Sequence, residues 1–316
     1  MPEGFSYSQK QVGLGIALEE DRIVALQAEV SPKGVSITSA DEQVLPPDII
    51  SHGRIVSPVE LVDNFYLLKK SAKFNHKKAS INLPIHSCSI KTFTLPEGYF
   101  SSDAESLEWE MKQHLAGNLS DYKLAMVVSG KLGTNEVIIA IAAHPELVDE
   151  RVVALRNCSI KAQSVDPDLI AIHNAYSVLF GNYPSKRVLL LDMNTPYSSF
   201  GFVMDDTFHP GGCFPVTASS FEEKSIKEYS QMLIENFNAI FEIHGFSLHE
   251  ESVEMLFPAG PYADPSVVEK LAGYLGLIPP QKDLFGSGAV KLKKKTDIPS
   301  YKLIKAFGLA MRSAVG

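Results

Sequence analysis

Val12-Gly13-Leu14-Gly15-Ile16-Ala17-Leu18 is an apolar run, Glu19-Glu20-Asp21 is an acidic turn, and a second apolar run follows from Ile23 to Val30. Two β-rich runs around a short polar break predict a hairpin with strands over 12–18 and 23–30. After Ser31-Pro32-Lys33, the stretch Gly34-Val35-Ser36-Ile37-Thr38 adds a third strand, so the chain opens as a meander. Residues 45–56 read as a polar, proline-containing connector. Ser57 as N-cap and Pro58 in the first turn then open a helix with Leu61, Phe65, Leu68 and Ala72 on one face. Lys78 to Leu83 is the next strand, closed by Pro84. The order is β-β-β-α-β.

The same theme returns near residue 187. Arg187 to Asp192 is the most apolar strand, Ser199 to Met204 pairs back, and Pro210-Gly211-Gly212 reads as a turn. A long helix is expected from about Phe221 to His244. Ile226, Tyr229, Leu233, Phe237 and Ile240 form its stripe, and Gly245 is its stop. Val253 to Phe257 is a buried strand, Asp264-Pro265 opens a helix ending near Gly276, and Pro299 to Ala314 is the closing helix. Lys291-Leu292-Lys293-Lys294-Lys295 reads as a solvated loop.

Between the two occurrences lies a different pattern. A strand over Ser89–Leu95, a helix over Asp103–Leu115 and paired strands over Leu124–Gly130 and Glu136–Ala142 come first. A helix over Glu146–Arg156 and a strand over Ile160–Val165 follow. This β-α-β-β-α-β unit reads as a self-sufficient two-layer insertion. A helix over Asp168–Phe180 leads out of it. The expectation is α/β: two similar halves, each with a mixed five-stranded sheet, and one inserted module.

Composition narrows the function. With 316 residues and 45% hydrophobic content, the chain is long enough for two packed lobes. No run of about 18 apolar residues occurs, so no spanning helix is expected. The opening MPEGFSYSQK lacks the basic head and apolar stretch of a signal peptide. Twenty-nine basic against 37 acidic residues leave a net charge of −8, which argues against a nucleic-acid partner. Cys88, Cys158 and Cys213 are few and far apart, as in a reducing cytosol.

Several junction segments carry a resemblance. Leu45-Pro46-Pro47-Asp48-Ile49-Ile50-Ser51-His52-Gly53-Arg54-Ile55 precedes the first helix, and Glu108-Trp109-Glu110 follows the pair Leu95-Pro96. Ala143 to Leu155 and then Val165-Asp166 leave the inserted module. Ile304-Lys305-Ala306-Phe307-Gly308-Leu309-Ala310-Met311-Arg312 closes the chain. In order and spacing these resemble the PilM family of type IV pilus assembly proteins, within the actin-like ATPase superfamily and related to FtsA. The resemblance implies two actin-like (ribonuclease H-like) halves: residues 1–85 with 166–184, and residues 185–316, the second without most of its small helical subdomain. The inserted module would span residues 86–165.

Active members of that superfamily grip ATP with two glycine-bearing hairpins and a third glycine cluster. Glycine admits positive φ and close approach to phosphate, and aspartates serve the magnesium ion or the attacking water. Against that pattern, Gly15 stands where Asp is expected and Ala17 where Gly is expected, and the turn carries Glu19, Glu20 and Asp21. In the second hairpin Asp192 is kept, Asn194 replaces a glycine and Ser198 replaces a threonine. At the third site Gly260 remains, while Pro258 and Ala259 replace glycines. Asp192, Ser198 and Gly260 are therefore remnant cofactor-binding positions. Losing about three bonds to charged groups, roughly 1.5–3 kcal/mol each, moves a ~1 μM ligand to about millimolar.

Other candidates are weaker. His86 near Cys88, and His209 near Cys213, lack a second pair at zinc spacing, so no metal is expected. Cys158 at a helix end reads as half-buried packing, and no base can be assigned for cysteine catalysis. Asp166 and Asp168 around Pro167 suit a helix N-cap better than an acid pair, and His173 reads as a core or edge residue. Trp109, the single tryptophan, reads as module core, with partner contact as the alternative. Ile81-Asn82-Leu83-Pro84 resembles a peptide motif of the PilN partner, but it ends an internal strand and is treated as coincidence.

The resemblance implies a cytoplasmic, non-catalytic scaffold of a pilus-like or related secretion platform. It would bind the N-terminal cytoplasmic tail of a PilN-like inner-membrane protein between the module and the first half. It implies no catalytic residue, no cofactor, no nucleic acid and no direct membrane insertion, and it admits self-association. An actin-like ATPase with an altered phosphate grip, keeping ATP and magnesium, is the alternative. A division-anchor role would call for an amphipathic membrane helix beyond Arg312.

Overall fold

In the computed structural model, which describes residues 10–99, 104–180, 187–244, 253–279, 284–286, 288 and 290–315, the opening meander forms as expected. Strands β1 (Gln11–Leu18), β2 (Arg22–Ser31) and β3 (Gly34–Val44) pair antiparallel in sequence. β3 runs on to Val44 rather than stopping at Thr38, because its pairing with β2 continues as far as Arg22. The connector holds a small hairpin, β4 (Ile50–Ser51) with β5 (Arg54–Ile55). Helix α1 (Pro58–Ala72) starts at its proline, but the Ser57 side chain makes no capping bond. It buries Leu61, Phe65, Leu68 and Ala72, the face its periodicity predicts.

Strand β6 (Lys78–Leu83) pairs in parallel with β1. The inserted segment follows: β7 (Cys88–Pro96), α2 (Ala104–Lys112), β8 (Lys123–Leu132), β9 (Asn135–Ala143), α3 (Pro145–Asn157) and β10 (Lys161–Pro167). Its own sheet has three strands, in the order β7-β9-β8. The strand expected to close that unit does not join it. β10 pairs in parallel with β6, with Ala162 opposite Ala79 and Val165 opposite Ile81. α3 also sends Ala154 and Leu155 into the core beneath α1. Parallel neighbours need a long crossover, and here the inserted segment is that crossover.

Helix α4 (Asp168–Phe180) leads to β11 (Arg187–Asp192), β12 (Tyr197–Met204) and β13 (Thr207–Pro215). β13 corrects the turn expected at Pro210-Gly211-Gly212. These residues lie in an edge strand whose register shifts against β12 between Ser199 and Gly201. After a single 3-10 turn at Ala218–Phe221, α5 (Ile226–His244) runs unbroken, so no helical lobe intervenes. Ile226, Tyr229, Leu233 and Phe237 are buried on it. The expected stop at Gly245, and the side chain of Ile240, lie outside the described residues.

The chain ends in β14 (Val253–Ala259), α6 (Pro265–Leu275), β15 (Val290–Leu292) and α7 (Ser300–Val315). Asp264 caps α6 by accepting from Ser266 N at 2.9 Å, and Gly276 ends it in the left-handed conformation. Part of the lysine-rich stretch is structured rather than looped: β15 extends the edge of β3, with Lys291 opposite Ser36. The sheets therefore hold six strands, β10-β6-β1-β2-β3-β15, and four strands, β13-β12-β11-β14, rather than five each.

Three larger apolar cores follow from this layering. One lies under α1 on the first sheet, and one under α5 and α6 on the second. The largest lies between the sheets and is filled by α4 and α7. α7 sits so close to β1 that a Cβ on Gly15 would lie 1.9 Å from Ala306 O, and one on Gly13 1.9 Å from Ala310 O. Gly308 does the same for α4, where a Cβ would lie 1.7 Å from Ala171 O. Gly15, read from the sequence as standing where the phosphate grip expects Asp, thus holds a helix against the sheet.

Candidate functional site

The ends of β1, β11 and α4 converge between the halves, and each brings one carboxylate. Glu19 follows β1, Asp168 begins α4 and Asp192 ends β11. Lys305, on α7, reaches the same point. Its ammonium lies 2.7 Å from Glu19 Oε1, 2.7 Å from Asp192 Oδ2 and 3.4 Å from Asp168 Oδ1. The Lys305 side chain is 2% exposed, and the three carboxylates are buried with it.

Two amides complete the cluster. Asn82 Nδ2 donates to Asp168 Oδ1 at 2.7 Å and to Leu18 O at 3.1 Å, while its Oδ1 accepts from Leu18 N at 2.6 Å. Asn194 Nδ2 donates to Glu19 Oε2 across the cleft. Asp192 Oδ1 has no hydrogen-bond partner among the described residues.

Burial dominates the electrostatics. It pushes the Asp192 carboxyl up to about 7 and raises Glu19, in both cases against the pull of Lys305. Burial alone would lower Lys305, but Asp168, Asp192 and Glu19 together hold its pKa well above the ordinary lysine value. The ammonium stays charged, and burial favours the protonated form of Asp192.

The three remnant positions all lie beside this cluster. Asp192 is a member of it. Ser198 is buried, donates to Asn194 O at 3.2 Å and accepts from Tyr229 OH at 3.1 Å. Gly260 has φ +99, and a Cβ there would sit 2.6 Å from Asp192 Oδ1. The turn carboxylates diverge: Glu19 points inward, Glu20 Oε1 accepts from Gly53 N at 2.7 Å, and Asp21 binds Arg22. Asp168, expected as a cap, bonds Asn82 and Lys305 instead.

Sequence reasoning missed Lys305 and Asn82. A signal for Lys305 was present: one cation inside Leu303-Ile304-Lys305-Ala306-Phe307, on a helix apolar all round, calls for buried carboxylates.

Magnesium and a nucleotide polyphosphate do not fit these residues. The remaining cavity at the cleft is about 20 Å³, room for about one water. It is lined by Glu19, Glu20 and Asp168, which repel phosphate, and the one cation present is already paired. Among the described residues, no group of three His, Cys, Asp or Glu side chains is arranged to hold a metal ion.

The cleft mouth is bridged as well. Tyr197 of the second half stacks on His86, in the turn between β6 and β7, with ring centroids 4.3 Å apart. His173, half-buried, stacks on Phe208 with centroids 4.7 Å apart, and desolvation lowers its pKa to about 4. Cys158 is fully buried at the end of α3 rather than half-buried.

Where the inserted segment meets the first half, Arg151 on α3 is buried and donates to three carbonyls. Nε reaches Asn82 O at 2.8 Å, Nη1 reaches Leu147 O at 2.9 Å and Nη2 reaches Gly53 O at 2.8 Å. Leu83, Ala143 and Leu147, with Val148 and Val165 against them, fill the seam beside it. Trp109 is 61% exposed rather than packed in the module, because α2 buries Leu107 and Met111 instead.

Two α/β halves that meet over the ends of β1 and β11, with helices on both faces of each sheet, are the actin-like ATPase fold. In its particular arrangement, inserted segment included, the chain resembles one solved structure over nearly its whole length. It is similar to a chain of a PilM–PilN type IV pilus biogenesis complex, with a TM-score of 0.78 over 96% of this chain and 98% of that one at 16% identity. Looser likenesses include an actin-like-fold protein of unknown function from Bacteroides thetaiotaomicron, with a TM-score of 0.48, 11% identity and 95% of each chain covered. Another is the ethanolamine utilization protein EutJ from Carboxydothermus hydrogenoformans, with a TM-score of 0.48, 9% identity and 95% and 89% covered. No protein-family model and no curated protein matches the sequence. Among the described residues, no helix is long and apolar enough to cross a membrane.

Proposed function

We propose that this chain is a non-catalytic cytoplasmic scaffold of a type IV pilus-like or related assembly platform. It binds the N-terminal tail of a PilN-like membrane protein at the seam between the inserted segment and the first half. The observation that carries the reading is a PilM-like arrangement with a sealed cleft: Lys305 and three carboxylates occupy the point where a working ATPase would need open space. Holding an extended tail needs apolar contacts and main-chain partners, and no catalytic group.

The test is titration of a synthetic peptide matching the cytoplasmic tail of the neighbouring membrane protein into the full chain, followed by calorimetry and by Trp109 emission. Deleting residues 86–165 is not a usable control, because it would strip β10 from the first sheet. Point substitutions replace it. Binding is expected at roughly micromolar Kd, since a flexible tail loses entropy on ordering. Val148→Asp at the seam should weaken it at least about tenfold, the loss of a central apolar anchor. Val59→Asp on the exposed face of α1 should leave it unchanged. Equal affinity for both variants would place the tail elsewhere. A saturable micromolar isotherm with Mg-ATP, abolished by Asp192→Ala, would favour the ATPase instead.

A further inference from the structure

We propose that the solvent face of α1 is a self-association surface: it pairs with the same face of a second copy of this chain, antiparallel and about a two-fold axis. The proposal goes beyond the scaffold reading, which needs no second copy, and does not rest on it.

α1 is apolar on two sides. Leu61, Phe65, Leu68 and Ala72 bury its inner face in the core on the first sheet. The opposite face of such a helix is ordinarily polar. Here it carries Val59, Tyr66 and Leu67, which are 75%, 48% and 56% exposed, and Val56 is exposed just before the helix. Val59, Asp63, Tyr66 and Lys70 recur at spacings of four, three and four residues, the pattern that lays one helix along another.

Charge chooses the occupant. Glu60 and Asp63 lie in the first half of α1, whereas Lys70 and the capping residue Lys73 lie at its end. Asp63 and Lys70 are exposed, and neither has a partner among the described residues. Acids at the N-terminus and bases at the C-terminus suit the helix dipole, but the dipole gives no reason for the apolar side chains between them. An antiparallel copy accounts for both. Positions 63 and 70 are equidistant from the boundary between Tyr66 and Leu67. With a two-fold axis there, Asp63 of each copy meets Lys70 of the other, so one register makes two ion pairs. Side chains beside the axis meet their own copies, Tyr66 on Tyr66 and Leu67 on Leu67. Val59 lies over the aliphatic stem of the second copy's Lys73. A parallel copy would set acid on acid and base on base. A basic peptide would match Asp63 but oppose Lys70, and an acidic peptide the reverse.

One helix pair is a small interface, so the dimer is expected to be weak, with a Kd of roughly tens of micromolar. The experiment is sedimentation equilibrium of the full chain from about 1 to about 300 μM, a range that brackets that Kd. Thermal unfolding checks that each variant folds, and the exposed positions should leave the midpoints near wild type. The wild type should show a monomer–dimer equilibrium. Asp63→Lys and Lys70→Asp each set like charges opposite one another twice, and each should raise the dimer Kd at least about tenfold. Mixed in equal amounts, these two variants are complementary and should form a heterodimer at about the wild-type Kd. The exchange Asp63→Lys/Lys70→Asp restores both ion pairs and should dimerise equally well. Leu67→Asp, which brings two carboxylates together at the axis, should abolish the dimer. A wild type that stays monomeric throughout overturns the proposal. So do single variants that dimerise as the wild type does, or a mixture no tighter than its components.

Discussion

Arg151→Met tests whether one buried guanidinium fastens the inserted segment to the first half. Methionine keeps much of the aliphatic stem and removes donors to Asn82 O, Leu147 O and Gly53 O. Leu147 O lies within a helix and keeps its in-helix partner, so the loss falls on Asn82 O and Gly53 O. A hydrogen bond to a charged group contributes about 1.5–3 kcal/mol, and two such losses give ~3–6 kcal/mol. Relief of the buried cation's desolvation offsets part of this, leaving roughly 3 kcal/mol. At about 2–4 °C per kcal/mol for a chain of this class, the unfolding midpoint falls by roughly 6–12 °C. Arg151→Lys keeps the charge but cannot span all three carbonyls, so it should lose about half as much. Calorimetry and urea unfolding read the stability, and hydrogen exchange at Gly53 to Ile55 should speed up in both variants. An Arg151→Met protein within about 1 kcal/mol of wild type, or Arg151→Lys indistinguishable from it, refutes the reasoning.

Two further substitutions follow from packing and from charge. Gly15→Ala should destabilise by about 1–3 kcal/mol or more through overpacking against Ala306 O and Ala310 N, whereas Gly273→Ala, with open space in α6, should stabilise by up to ~1 kcal/mol. Urea midpoints check the opposite signs. Asp192→Asn should shift the pH dependence. The folded-state pKa of Asp192 is raised to about 7, so this group's contribution is fully present below its unfolded value of 3.8 and is lost as pH rises through about 7. The stability of Asp192→Asn relative to wild type should therefore increase from about pH 4 to about pH 7 and level off above that, and a flat difference across this window counts against the raised pKa.

Local patterns were legible where a segment's own periodicity decides its structure. Leu61, Phe65, Leu68 and Ala72 gave the buried face of α1, and Asp264 with Gly276 bounded α6. Tertiary pairing was not legible in the same way. β10 has a strand's composition, but nothing local says that it lies beside β6 rather than β9. Pro210-Gly211-Gly212 has a turn's composition yet lies in β13, where Gly211 leaves room for the Phe200 ring. The site divided the same way. Asp192, Ser198 and Gly260 were found as positions in hairpins and turns, but the bonds of Asp192 to Lys305 and of Ser198 to Tyr229 join residues distant in sequence. Trp109 was misread because α2 turns its apolar face through Leu107 and Met111.

The seat of α7 has a consequence for biosynthesis. β1 is translated long before the helix that covers its glycine face and fills the core between the sheets. Until residues 300–315 leave the ribosome, the N-terminal meander presents a bare apolar surface, and Glu19 and Asp168 have no ammonium to meet. Domain-by-domain folding during synthesis is closed to such a chain, because its first half depends on contacts of very long sequence separation. The nascent chain therefore carries that surface uncovered until α7 arrives to seat on it.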